Sequence, residues 1–295
     1  MSRAADTEGG GSEVTGGTTP PSGTPTASMG DAGPLYWLMR DTWSVTKRNL
    51  RHYVRQPRLL LFSTIQPVMF VLLFSFVFDG VVSADLPGGV TYINFLLPGI
   101  LIHSSAFRTV QTAVGLGEDL ERGVVDRFRS MPMARSAVLS GRTMADLLRS
   151  LAVLALMIVI GYLIGFRFTQ GPVQALGAIA VVALFGYALS WIFTYIAMVV
   201  PGAEAVQAAG FVAIFPLVFA SSVFVPVATM PGWLATIVAY NPVTLGADAA
   251  RVLAIGYLPE AYDSAWEPIS WTVVVCTLIL AVFVPLAVRR YRRMT

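Results

Sequence analysis

The chain has 295 residues, 55% of them hydrophobic and only 13% charged, with a mean hydropathy of +0.68. Soluble domains carry about 25% charged residues, so this composition cannot cover a water-facing surface, and much of the surface is expected to face lipid. The net charge is only +3, and Lys47 is the single lysine among 20 basic residues. The arginines sit between apolar runs, which suits anionic headgroups and excludes a basic nucleic-acid stripe.

Residues 1–33 are rich in Gly, Thr, Ser and Pro and have no apolar run. Such a segment cannot offset its ordering entropy, so a disordered tail is predicted. Residues 34–58 change character. Leu35, Leu38, Val45, Leu50 and Tyr53 fall near helical spacing, with Trp37, Trp43, Arg40, Lys47, Arg48, Arg51 and Arg55 among them. This pattern predicts a basic amphipathic helix lying in the membrane interface, or a cytosolic helix covering another subunit. From 59 to 295 the chain reads as a membrane domain. Six runs approach the roughly 20 residues needed to cross hydrocarbon, at 59–78, 93–114, 147–166, 173–200, 205–225 and 271–288. The predicted fold is therefore all-α and integral to the membrane, with six transmembrane helices. Cys276 is the only cysteine, which excludes an intrachain disulfide.

The basic residues orient the spans. With both termini cytosolic, the inner side receives Arg40 to Arg58, then Arg122, Arg127, Arg129, Arg135, Arg142 and Arg149, then Arg289, Arg290, Arg292 and Arg293. The outer side receives only Arg167 and Arg251, together with Asp85, Asp248, Glu260, Asp263 and Glu267. Arginine and lysine stay on the cytosolic side of a membrane, so a cytoplasmic-membrane protein with both ends inside is expected.

Three places are candidates for mechanism. The polar stretch 118–142 is cytosolic in this orientation. Leu120, Val124, Phe128 and Met131 make an apolar stripe, and Glu118–Arg122 and Arg122–Asp126 are opposite charges four apart. A short amphipathic helix between two spans can transmit force; it can equally be a solvated connection. The outer segment 226–256 holds two short apolar stretches broken by Pro226, Pro231 and Pro242. Neither is long enough to span, and Trp233 and Tyr240 suit an interface. Helices at or dipping into the outer leaflet are predicted, either as a lid or as surface packing. Asp248 and Arg251, three apart, are expected to form a local ion pair. Within the second span, His103, Ser104 and Ser105 make a polar spot, read either as pathway residues or as interhelical hydrogen bonding. Arg108 lies roughly 22 Å into that run at 1.5 Å per residue, near the cytosolic interface, where it can snorkel or take part in substrate or ion-pair contacts. Gly161 and Gly165 make a GxxxG face in the third span.

A P-loop needs a Gly-Lys pair, and Lys47 follows Thr46, so the chain carries no such phosphate loop. Neither HExxH nor GxSxG occurs. A membrane-embedded acyl or glycosyl transferase would need catalytic groups clustered at one depth, and the sequence shows no such cluster.

Residues 123–149, GVVDRFRSMPMARSAVLSGRTMADLLR, resemble the cytosolic coupling region of ABC type-2 permeases, and in particular the daunorubicin-resistance permease subfamily. Residues 221–251, with FVP, TMPGWL and NPVT, resemble the second signature of that subfamily, and INFLLPGIL at 93–101 fits as well. The resemblance runs from 35 to 293. It implies six membrane helices, an N-terminal interfacial helix and outer re-entrant helices. It implies a second permease chain, identical or not, and two copies of a separate ABC ATPase that bind ATP and Mg, with no cofactor in this chain. It implies export of amphipathic drugs or lipids. Carried onto this sequence, Glu118, Glu121, Arg122, Gly123, Asp126, Arg127, Phe128 and Arg129 would form the coupling helix that meets the ATPase. Pro231, Trp233, Asn241 and Pro242 would belong to the outer gate. Export of a lipid-linked glycan or cell-wall polymer is the nearest alternative, and a membrane transferase is an alternative of another class. A third rival is an assembly or sensor subunit that binds an ATPase without moving a substrate.

Overall fold

The computed structural model describes residues 57–82, 86, 89–122 and 135–293. The predicted tail, the interfacial helix up to residue 56, and Gly123, Asp126, Arg127, Phe128 and Arg129 lie outside the described residues.

Among the described residues the chain is all helical. The helices are α1 (Pro57–Val77), α2 (Asp79–Val82), α3 (Tyr92–Glu121), α4 (Arg135–Ile164), α5 (Pro172–Val199), α6 (Ala203–Phe219), α7 (Gly232–Ala239), α8 (Pro242–Ile255) and α9 (Trp266–Arg293). A 3₁₀ turn, Val227–Thr229, precedes α7. Each predicted apolar run lies mainly on one helix. Two helices extend well past their runs toward the stretch 123–134. α3 continues to Glu121, so it absorbs the start of the predicted coupling stretch. α4 begins at Arg135 and absorbs its end.

Among the described residues, three helical stretches are long and apolar enough to cross a membrane: Asp146–Ile164, Pro172–Val199 and Trp266–Tyr291. Ile65–Val77 and Ala203–Phe219 are apolar but shorter. The fifth predicted run, 205–225, ends as a helix at Phe219. Beyond it the Ala220, Ser222 and Val223 carbonyls accept hydrogen bonds from side chains of Asn241 and Arg251. Those side chains replace the helical ladder, which allows non-helical backbone at this depth.

Helix α3 is the centre of the bundle. It packs against α1, α4, α5, α6 and α8, and Phe95, Leu96, Leu97, Ile100, Ile102, Ala106, Val110 and Ala113 are buried. Of the two glycines in the GxxxG pair only Gly161 serves the packing: a Cβ there would run into the Leu97 side chain of α3. Gly165 instead ends α4 at φ +124, with open space around it. That backbone conformation suits glycine, so the pair is not one face. The periphery is apolar: Phe76, Leu163, Val173, Leu176 and Val212 are mostly exposed. Aqueous surfaces rarely present apolar area on this scale; hydrocarbon or another apolar chain covers it.

Candidate functional site

One end of the bundle is built around Arg251. Asn241 starts α8 as its N-cap, its Oδ1 accepting from the Val243 amide at 2.8 Å. Its Nδ2 donates to the Leu217 and Ala220 carbonyls at 2.6 Å each, which fixes α8 to the end of α6. Pro242 follows at the first helical position, where its missing N–H costs nothing. α8 then runs inward against α3, α5 and α9, and its residues from Val243 to Val252 are buried. Arg251 is 0% exposed and Asp248 2%.

Arg251 Nη1 donates to Asp248 Oδ1 at 2.8 Å and to Ser222 Oγ at 3.0 Å. Nη2 donates to the Ser222 and Val223 carbonyls at 2.8 and 2.9 Å, and Nε to the Phe95 carbonyl at 2.9 Å. The guanidinium lies 3.7 Å from the Phe95 ring centroid, a favourable cation–π position. Ser222 Oγ donates to Asp248 Oδ1, and Tyr262 Oη to Asp248 Oδ2 at 3.3 Å. Burial, then the nearby Asp248 carboxylate, push the Tyr262 phenol above its ordinary pKa. A buried charge survives in an apolar setting only when paired and hydrogen-bonded, and this one is both. A cavity of about 560 Å³ opens beside the cluster, lined by Met230, Thr244, Asp248, Tyr257, Glu260 and Tyr262 among others.

The second place lies midway along α3. His103 is 2% exposed, and neither ring nitrogen has a hydrogen-bond partner among the described residues. Phenylalanine rings surround it: Phe107 at 4.6 Å, Phe70 at 5.1 Å, Phe224 at 5.7 Å and Phe219 at 6.5 Å between centroids. The row continues along α1 through Phe74 to Phe78, and along α6 through Phe215 to Phe211. Phe215 and Phe219 are about half exposed. Ser104 Oγ is also buried without a partner among the described residues. Ser105 points elsewhere, packing on the α5 backbone at Gly186. With Arg108 it lines a small cavity of about 20 Å³ shared with Asp146, Leu151, Val182, Tyr187 and Ser190. That volume suits a single water.

At the end of α3, Arg122 pairs with Glu118 at 3.1 Å, well exposed. Glu121 does something different: its Oε1 accepts the Ala203 amide at 2.9 Å, across to the start of α6. Pro231 caps the exposed helix α7, on which Trp233 is 71% exposed.

Residues 40–255 match the model of the ABC-2 type transporter family. The chain belongs to that family. This ABC-2 chain is 32% identical, over 80% of its own length and 80% of the relative's, to the daunorubicin resistance ABC transporter permease protein DrrB1 of Streptomyces coeruleorubidus. It is 28% identical to the probable doxorubicin resistance ABC transporter permease protein DrrC of Mycobacterium tuberculosis, over 91% of this chain and 94% of that one. The putative transport permease ycf38 of Cyanophora paradoxa is 23% identical over 74% and 75%. The ABC-2 chain is thus a multi-pass membrane permease component, not an enzyme. The transferase alternative falls with that finding.

Sequence reasoning on this ABC-2 permease paired Asp248 with Arg251 but left them on an outer surface. The bonds Arg251 donates to the Phe95, Ser222 and Val223 carbonyls were missed, because backbone acceptors carry no side-chain signature. The Glu121–Ala203 bond was missed for a similar reason: Ala203 contributes only its amide.

Proposed function

We propose that this chain is the six-span membrane subunit of an ATP-driven exporter in the cytoplasmic membrane, with both termini cytosolic. It moves amphipathic drugs or lipids outward, paired with a second permease chain and served by two copies of an ABC ATPase. ATP and Mg belong to that ATPase, since this chain has no phosphate loop. Residues 34–58 form the interfacial helix. Residues 118–142, with Glu118, Glu121, Arg122, Gly123, Asp126, Arg127, Phe128 and Arg129, form the coupling region. The segment 226–256, with Pro231, Trp233, Asn241 and Pro242, closes the outer side. His103, Ser104, Ser105 and Arg108 lie along the path.

The observation that carries the drug reading is the unpartnered His103 inside its phenylalanine cage. A buried polar group without a partner is costly, and in a membrane helix it marks a pathway by default. Separation of the rings would offer a planar apolar molecule stacking faces and one hydrogen-bonding nitrogen. The names of the drug-resistance relatives point the same way. Export of a lipid-linked glycan or polymer is the second reading, favoured by the same aromatic row, since sugar faces also stack on rings.

The test is daunorubicin uptake into inverted vesicles holding the permease with its ATPase. Wild type is expected to accumulate the drug with ATP, and His103→Ala to raise the half-saturating concentration about tenfold, the scale of one hydrogen bond. ATP-driven export of a glycolipid with no drug uptake would favour the second reading. ATPase binding without any flux would indicate a sensor subunit. Replacing Arg127 and Arg129 with Glu should release the ATPase; its retention would remove the coupling assignment.

A further inference from the structure

We infer that Glu121 is a positioning residue that makes α6 move with α3. The inference rests on the reading of 118–142 as the coupling region. Glu121 is the last residue of α3, so it stands directly before the segment on which an ATPase would act. Glu121 is solvent-exposed, yet its carboxylate is engaged. Oε1 holds the Ala203 amide, the first N–H of α6, at 2.9 Å. One turn earlier, a Cβ on Gly117 would lie 3.2 Å from Ala203 Cα, so the two backbones nearly touch there. The contact continues upward: Val206 is fully buried, and a Cβ on Gly210 would lie 2.6 Å from the Val110 side chain. Farther out, Phe107 meets Phe215 at 5.6 Å.

The outer ends are tied as well. Arg251 binds the Phe95 carbonyl near the start of α3 and the Ser222 and Val223 carbonyls just after α6. The pair is thus fastened at both ends, by Glu121 inside and Arg251 outside, with close packing between. A carboxylate bound to a first-turn N–H also gains from the partial positive charge at that helix end. Without Glu121 the inner end of α6 loses this tie to α3, and a displacement of the coupling segment moves α3 without carrying α6. α6 carries Phe211, Phe215 and Phe219 and α3 carries His103 and Phe107, so these two walls of the phenylalanine cage move as one unit, and the cage opens against Phe70 and Phe74 of α1. Glu121 therefore acts through α6, not through contact with substrate or nucleotide.

The experiment uses the reconstituted permease–ATPase complex and compares Glu121→Ala with Glu121→Gln. Glutamine keeps a carbonyl acceptor at the same reach and loses only the charge. Daunorubicin moved per ATP hydrolysed should fall about tenfold for Ala, the loss expected from one charge-assisted hydrogen bond. It should be largely restored in Gln, with the ATPase copurifying in both. A second readout needs ATP alone: spin labels at Gln207→Cys on α6 and Arg289→Cys on α9, in a Cys276→Ala background. ATP should shift their distance distribution with Glu or Gln at 121 and leave it unchanged with Ala. Equal loss in both variants together with loss of the ATPase would make Glu121 a docking contact and overturn the inference while leaving the coupling region intact. An ATP-driven shift that persists with Ala, or no shift in the parent, would also overturn it. Failure of the coupling reading shows separately, as ATPase retention after Arg127 and Arg129 are replaced with Glu.

Discussion

Arg251 and His103 are both almost wholly buried among apolar side chains, yet they are opposites. Arg251 spends Nε, Nη1 and Nη2 on five acceptors from three separate stretches of chain. His103 has no acceptor or donor on either nitrogen among the described residues and touches aromatic rings instead. A saturated polar group has nothing left to offer a passing ligand, so the Arg251 cluster is architecture. An unsaturated one is a standing cost to the fold, and such a cost is explained when something else meets it during the transport cycle. Polarity inside a membrane bundle therefore marks function only after its partners have been counted.

The largest effect should come from breaking the saturated cluster. Arg251→Met leaves the Asp248 carboxylate without its cation and three carbonyls without the guanidinium donor. Removing one member of a buried ion pair costs about 3–5 kcal/mol, read as a fall in unfolding midpoint in detergent. Asp248→Leu combined with Arg251→Met should cost less than Arg251→Met alone, because no charge is left behind. A double variant worse than the sum of its singles would show that the ion pair is not the organising element.

A smaller loss is expected at the hinge between α6 and α8. Asn241→Ala removes the cap of α8 and two bonds to the end of α6. Capping losses run about 0.5–2 kcal/mol, and this one should lie at the upper end. Tyr262→Phe removes a single 3.3 Å bond to Asp248 and should cost no more than about 1 kcal/mol. Because the folded-state phenol titrates above its ordinary range, its stabilising contribution is fully present below about pH 10. It is lost only as the pH rises toward the raised value. The Tyr262→Phe difference should thus be flat from pH 5 to 9, within the range set by that ordinary pKa. A difference that fades as the pH falls toward 5 would mean that Asp248, not Tyr262, titrates there.

These contrasts show what was legible in the sequence. The apolar runs located every long helix, because burial in hydrocarbon needs sustained apolar length. The prolines marked α7 and α8 as two short helices, since a proline breaks a helix or starts one by local chemistry; the cap that Asn241 supplies to α8 was not foreseen. The early end of α6 was not legible: residues 220–225 are apolar enough to continue a helix, and what stops them is a pair of distant side chains. Arg251 looked like a surface charge because its acceptors are carbonyls, one of them on Phe95, 156 positions away. The polar spot at His103 to Ser105 was visible, but its parts diverge. His103 faces the rings, while Ser105 turns to α5 and the cavity beside Arg108. Such a split depends on helix rotation, and a mixed polar triplet does not reveal it.

The smallest effect on stability should come from His103 itself, and there the comparison becomes sharpest. His103→Phe replaces two unpartnered nitrogens with carbon and keeps a ring of similar width among Phe70, Phe107 and Phe224. Relief of an unsatisfied buried group contributes up to about 1–3 kcal/mol, and the slightly larger ring returns part of that as crowding. The unfolding midpoint should therefore stay level or rise, while ATP-driven daunorubicin uptake falls. Had His103 a structural partner, the same substitution would lower the midpoint as the Arg251 variants do. Unchanged uptake with a raised midpoint would instead make His103 a tolerated defect with no part in the path. Only a gain in stability joined to a loss of transport fits a side chain kept unsatisfied for its ligand.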